Sequence, residues 1–282
     1  MNFDNAYLET QDILNKIIKK LKSLYDKAYD SLIEIMPATS SESIKMKKWL
    51  ETGKITQEEY QEWLTEKLLI GRSQRKRLDE LSEILTETDL NATNITQENL
   101  PEIYLLNSNY TVSRIGEHYH LDINFLIFNE DSVRLLIQEN PDLLPKTKNH
   151  NQQYNLKKIN SAIALGIVNG ESIDEIAERV GKIANTNRIS ETRTAATMVT
   201  SAQNAGRMNG YRRCQKMGMT IKHRWLSATD KHTRASHMAI NGQIIAIGEK
   251  FSNGLEYPGD SSGNPAEVYN CRCCTVPVFD DI

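Results

Sequence analysis

Several familiar chemistries are missing from this chain. It has no G-x-x-x-x-G-K-[ST] loop whose backbone amides could cradle a nucleotide phosphate, no G-x-S-x-G elbow to expose a serine nucleophile, and no H-E-x-x-H helix to pair two zinc-binding imidazoles. An ATPase or an ordinary hydrolase therefore finds no support. Aromatic residues are scarce at 7%, with 39% of residues apolar and 25% charged. That balance suits elongated helices with much solvated surface better than a dense, aromatic-rich core. Cysteine is absent from residues 1 to 213; Cys271, Cys273 and Cys274 crowd together near the end, with Cys214 the fourth. Three thiols within four residues make a poor disulfide framework and fit a reducing compartment. The most apolar stretch, AIALGIV at 162–168, is far too short to span a bilayer. MNFDNAYLET shows no basic stretch followed by an apolar run, so neither a secretory signal nor a membrane partner is expected. A formal net charge of −3 argues against a protein that coats DNA by bulk charge.

What is present is helical periodicity. Ile13, Leu14, Ile17, Ile18, Leu21, Leu24, Tyr25, Ala28, Leu32 and Ile33 recur three and four apart, which predicts one long amphipathic helix ending before Pro37. A shorter helix carries Ile44, Met46, Trp49 and Leu50. The next opens at TQEE, 56–59, where the Thr56 hydroxyl can accept from the Glu59 amide while the Glu59 carboxylate reaches back to the amide of Thr56. The helical pattern continues to about Thr88, and DLNATNITQENL reads as a polar connector. INFLIF at 123–128 fits a strand or a helix segment, and DSVRLLIQENP a short capped helix. Leu156, Ile159, Ile163 and Ile167 mark a helix ending at Gly170, and SIDE at 172–175 caps a helix carrying Ile176, Val180 and Ile183. A further helix from about Ser190 to Met217, rich in alanine, serine and threonine, can pack closely against its neighbours. IKHRWLS and QIIAI then read as strands, and turn-prone NGLEYPGDSSGNPAE leads into YNCRCCTVPVF. The expected fold class is α+β and predominantly helical: a helical arm over 1–150, then a unit over 151–282 that is helical to about 217 and a small α+β structure beyond.

Three groupings carry chemistry. On a helix, Asp230, Arg234 and His237 would form one polar row with Thr233 beside it, since residues four and seven apart share a face. Such a row suits acid/base work, phosphate binding or metal ligation, and equally a buried ion pair and histidine that hold the helix to a sheet. In extended chain, Cys271 and Cys273 point to one face and Cys274 to the other; two thiols with His237 have the composition of a zinc site, and Asp230, His232 or His223 could supply a fourth ligand. Cysteines acting as small apolar residues are the alternative. Finally, eight basic residues lie between Arg207 and His237 against the single acid Asp230, while residues 249–282 hold six acids against Lys250 and Arg272. Arg207, Arg212, Arg213, Lys216, Lys222 and Arg224, with Tyr211 and Trp225 interleaved, could touch DNA phosphates or simply match the acidic tail.

TRT at 192–194, NAGRMNGY at 204–211, KHRWLSATDKHTRASHMAINGQII at 222–245, EKF at 249–251, YPGD at 257–260 and AEVYNCRC at 266–273 together resemble the head morphogenesis domain of the Mu F-like and SPP1 gp7-like minor head proteins of tailed phages. The resemblance covers about residues 188–278; GKITQEEYQEWL at 53–64 looks more loosely like the helical N-terminal part of minor capsid proteins. It implies a virion component made in the host cytoplasm and held inside the capsid near the portal. It further implies a role in procapsid assembly and in DNA packaging or ejection, with portal, major capsid or scaffolding proteins and phage DNA as partners. The family's shared positions fall on Trp225, Asp230, Thr233, Arg234, His237, Gly242, Phe251, Pro258, Gly259, Asn270, Cys271, Arg272 and Cys273, and its members are not generally known as enzymes. Ala195 departs from the pattern, since an acidic residue commonly follows the Arg-Thr pair, and Cys274 is an addition to the C-R-C ending. A metal-dependent nuclease, a nucleotide-handling enzyme and a non-specific DNA-binding virion protein are the competing expectations.

Overall fold

The computed structural model describes residues 4–121 and 152–279; the INFLIF and DSVRLLIQENP segments lie outside them. The described chain runs through helices α1 (Asn5–Ile35), α2 (Ser41–Glu51), α3 (Gln57–Leu68), α4 (Arg72–Gln97), α5 (Leu100–Tyr119), α6 (Gln152–Val168) and α7 (Ile173–Lys216). It ends in strand β1 (Ile221–Leu226), helix α8 (Ala235–Ala239), strand β2 (Ile244–Ala246), helix α9 (Pro265–Val268) and strand β3 (Cys274–Phe279). The chain is predominantly helical with a small terminal sheet, the α+β class expected from its periodicity. It forms two compact units, and each draws on both sides of the boundary expected near residue 150. The described parts of one are residues 4–19, 94–121 and 192–279, and of the other 20–93 and 152–191.

The second, all-helical unit buries Leu21, Tyr25, Ala28 and Leu32 of α1, Tyr60, Leu64 and Leu68 of α3, Ile159 and Ile163 of α6, and Ile176 and Val180 of α7. Both capping boxes read from the sequence form. The Thr56 amide donates to Glu59 at 2.8 Å and the Glu59 amide to Thr56 at 3.2 Å. Ser172 and Glu175 exchange the same pair of bonds at 2.6 and 3.3 Å. Two expectations are corrected here. DLNATNITQENL is no connector: α4 runs through it to Gln97, because Leu85, Asp89, Ala92 and Thr96 follow one helical face and all are buried. Likewise the expected separate helices around 173–183 and 190–217 are one helix of 44 residues. The polar stretch between them persists because Asn187 and Glu191 turn inward.

The reason is a buried carboxylate. Asp89 accepts from the Tyr25 hydroxyl at 2.6 Å, from the Asn155 amide at 3.1 Å and from the Asn187 amide, so α1, α4, α6 and α7 meet on one charge. A buried carboxylate is tolerable only with such donors around it. Burial, followed by the neighbouring Asp89 charge, drives the Tyr25 phenol far above its ordinary range.

The other unit contains the sheet, ordered β2-β1-β3 and antiparallel throughout, with His223 opposite Ile245 and Trp225 opposite Thr275. Ile221, His223 and Trp225 face the core while Lys222 and Arg224 are half-exposed, the alternation written in IKHRWL. In this unit α7 packs against α5 with almost no gap: a Cβ on Gly206 would stand 2.3 Å from the Tyr104 carbonyl oxygen, and one on Gly210 2.9 Å from Thr111.

Candidate functional site

Along α7, Thr197, Thr200, Asn204 and Arg207 recur at three, four and three residues, so their side chains leave the helix on one face. Each engages the extended chain at the C-terminal end. The Thr197 hydroxyl accepts the Asn270 amide at 3.0 Å, and the Thr200 hydroxyl donates to the Cys271 carbonyl at 2.8 Å. Asn204 donates to the Cys273 carbonyl and accepts the Thr275 amide, both at 3.1 Å, and Arg207 donates to the Thr275 carbonyl at 2.8 Å. The lengths nearly match. Seven helical residues rise about 10.5 Å, and four extended residues span about 13 Å. Side chains of increasing reach, from threonine to arginine, absorb the difference. The helix thus acts as a second hydrogen-bonding edge for a segment whose other side belongs partly to the sheet.

Arg207 anchors this ladder. Its side chain is 1% exposed; it makes two 2.7 Å bonds to the Asp4 carboxylate and one of 3.0 Å to Asn107. Burial alone would depress its pKa, yet with Cys274 and Asp4 nearby the group sits above its ordinary value. Its expected use as a DNA contact is corrected: a buried guanidinium with these partners cannot reach a phosphate. Arg212 pairs with Glu256 at 2.5 Å, one instance of the basic stretch meeting the acidic tail. Arg213, Lys222 and Arg224 are half-exposed and Lys216 is exposed.

The polar row at 230–237 also needs correcting. Only Ala235–Ala239 is helical, with Arg234 at its N-cap position, so Asp230 and His237 do not share a helix face. Residues 229–233 form a turn instead. Thr229 takes a left-handed φ of 54°, and Asp230 and Thr233 close the loop reciprocally: the Asp230 amide donates to the Thr233 hydroxyl, which donates to the Asp230 carboxylate. Such short side chains bonding to nearby backbone favour turns over helix.

From that turn the three charged positions reach the C-terminal segment separately. Asp230 accepts two bonds from Arg272, at 2.5 and 2.7 Å, which hold its carboxyl below the usual range. Arg234 donates to the Tyr269 carbonyl. His237, 1% exposed, places Nδ1 3.6 Å from the Cys271 sulfur and 3.5 Å from the Cys273 sulfur. The ring lies edge-on to Trp225 at 5.1 Å, and Trp225 packs edge-on to Phe251 at the same distance. On the far side of the ring, Nε2 is 2.9 Å from a Glu267 oxygen, off the line of a well-directed hydrogen bond, and that oxygen also accepts from Ser236.

The structure therefore brings His237, Cys271 and Cys273 together, their donor atoms all within 4.8 Å of one another. Cys274 turns the other way, packed with Tyr7 and Leu226, where burial raises its thiol to about 12. All four cysteines are free thiols. The paired thiols polarise each other: a bond from Cys271 holds Cys273 below its ordinary value, and the same contact pushes Cys271 up. Of the fourth ligands considered, Asp230 is committed to Arg272 and His232 is exposed. His223 lies against Tyr211 and Phe251 with neither ring nitrogen bonded. Glu267, Asn204 and Asp4 were not singled out from the sequence. A polar residue at each turn of an otherwise small-residue helix was the available sign for Asn204; nothing local marks Asp4 or Glu267.

Comparison with known proteins gives the same region a lineage. A family model described as Phage Mu protein F like protein matches residues 157–276. The Bacillus phage SPP1 minor head protein GP7 is 30% identical over 165 residues, 56% of this chain and 53% of that protein. An Enterococcus faecalis protein, NAD(+)--arginine ADP-ribosyltransferase EFV, is 30% identical over 128 residues, 45% of this chain and 26% of its own length. An uncharacterized Haemophilus influenzae protein is 23% identical over 190 residues, 62% of this chain and 39% of that one. The chain thus spans between about a quarter and half of these relatives. No solved structure matches it.

Proposed function

We propose that the chain, whose residues 157–276 match the Phage Mu protein F like family and which is similar to the SPP1 minor head protein GP7, is a minor head protein of a tailed phage or prophage. It is built into the virion inside the capsid and acts in procapsid assembly at the portal. Portal, major capsid or scaffolding proteins are its partners, and its position bears on DNA packaging and ejection. The observation that carries the reading, beyond the lineage, is what the chemistry-bearing residues do. Asp230 is held by Arg272, Arg234 by a backbone carbonyl, Arg207 by Asp4, and His237 by two thiols. These contacts tie the 229–237 loop and α7 to the C-terminal segment, the use expected of architecture; an enzyme would aim such groups into an open cleft.

The ADP-ribosyltransferase relative does not shift this balance, because the match covers 26% of that protein. Among the described residues no helix is long and apolar enough to cross a membrane. The test is co-expression of the chain with the portal and scaffolding proteins of its own phage, followed by gradient sedimentation. The reading expects the chain to travel with portal-containing particles. Sedimentation as an isolated protein in the presence of intact procapsids would count decisively against it. Retention of duplex DNA that weakens with salt would favour the DNA-binding alternative through the exposed part of the basic stretch.

A further inference from the structure

We propose that Cys271, Cys273 and His237 bind one zinc ion, with a water or another exogenous donor in the fourth position. The inference rests on this chain's own geometry and stands independently of the head-protein reading. Zinc takes thiolate sulfur at about 2.3 Å and imidazole nitrogen at about 2.0–2.1 Å in tetrahedral array, which places sulfur and nitrogen about 3.5–3.6 Å apart. The two sulfurs lie 3.5 and 3.6 Å from His237 Nδ1. A single thiol–imidazole hydrogen bond would also give one such distance. Two such distances to one nitrogen, with all three donor atoms within 4.8 Å of one another, match an ion placed between them. Two sulfurs equidistant from one nitrogen are the arrangement a shared ion produces.

The surroundings support the same reading. Both sulfurs lie on the same side of the C-terminal segment, whose carbonyls at Cys271 and Cys273 are fixed by Thr200 and Asn204 of α7, so the pair is held in place before any ion arrives. Glu267 stands 2.9 Å from Nε2, the ring nitrogen away from the thiols, without a directed hydrogen bond, in the place from which a carboxylate orients a metal-bound histidine once the ring turns toward it. The three donors are each at most 2% exposed and lie on two separate segments, α8 and the extended C-x-C stretch. Binding removes one proton from each thiol and leaves a neutral bis-thiolate centre, so the ion enters the core without net charge.

The test uses the full chain purified without a histidine tag. Elemental analysis is expected to show close to one zinc per chain, falling to background in a Cys271→Ser/Cys273→Ser variant. Where that variant fails to fold, cobalt substituted into the parent protein decides: thiolate-to-cobalt charge-transfer absorption with intense tetrahedral d–d bands is expected. Glu267→Gln should retain the ion with affinity weakened about 10- to 100-fold, read by competition with a chromophoric chelator. A parent chain that is folded, metal-free and silent toward cobalt would overturn the proposal, as would undiminished zinc in the folded double-serine variant.

Discussion

His223 should make the sheet unit sensitive to mild acid, and replacing it with phenylalanine should remove that sensitivity. Its ring is fully buried on β1, 5.8 Å from Tyr211 and 5.0 Å from Phe251, and neither nitrogen has a partner. Burial, aided by the Arg212 charge, lowers its pKa from 6.5 to about 4. The depressed value fixes the sign. Above the unfolded pKa the ring is neutral in both states and its packing contributes in full; as pH falls through the window from 6.5 to about 4, the unfolded chain takes a proton that the folded chain refuses, and stability is lost. The gap corresponds to about 3 kcal/mol once fully developed, and about 2 kcal/mol of it is gone near pH 5. Urea unfolding, followed by the fluorescence of buried Trp225 at pH 7.5 and again near pH 5, reads the difference. Carboxylates titrate in both proteins, so the comparison between parent and His223→Phe isolates the ring. The variant should lose about 2 kcal/mol less than the parent over this interval. Equal losses in the two proteins would refute the reasoning.

The close approach of α7 and α5 predicts that Gly206→Ala, whose methyl would meet the Tyr104 carbonyl, costs about 1–3 kcal/mol in denaturant unfolding. Arg207→Met leaves the Asp4 carboxylate without its partner and removes the bonds to Asn107 and Thr275; a loss of about 3–5 kcal/mol is expected, measured in the same way. Asn204→Ala strands a buried carbonyl and a buried amide, each worth about 1–3 kcal/mol, and hydrogen exchange should rise first at the Thr275 amide. Asp230→Asn, by contrast, breaks a half-exposed pair with Arg272 and should change stability by less than about 1 kcal/mol.

Residues whose role is set by local periodicity were legible in the sequence, and those whose role is set by distant partners were not. The α1 stripe, the Thr56 and Ser172 caps and the in–out alternation of IKHRWL each depend on residues within a turn or two, so spacing alone declares them. Asp89 read as part of a polar connector because its partners, Tyr25, Asn155 and Asn187, lie 64 to 98 residues away, and only burial reveals that it faces inward. The spacing of Asp230, Arg234 and His237 suits one helical face, but the chain is helical only from Ala235 on. Asp230 and Thr233 close a turn on themselves, and the chain enters helix only after Arg234. The meeting of His237 with Cys271 and Cys273 could be suspected from composition, while its geometry required the ladder on α7 that holds the C-x-C segment in place.

A minor head protein, as proposed here, must be carried inside the finished particle. The most direct measurement is quantitative mass spectrometry of heads purified by density gradient and treated with protease and nuclease from outside. Peptides of this chain should remain in the intact, protease-treated particles at a small fixed ratio to the portal protein. Recovery of the chain only in the soluble fraction, with none in such heads, would contradict it.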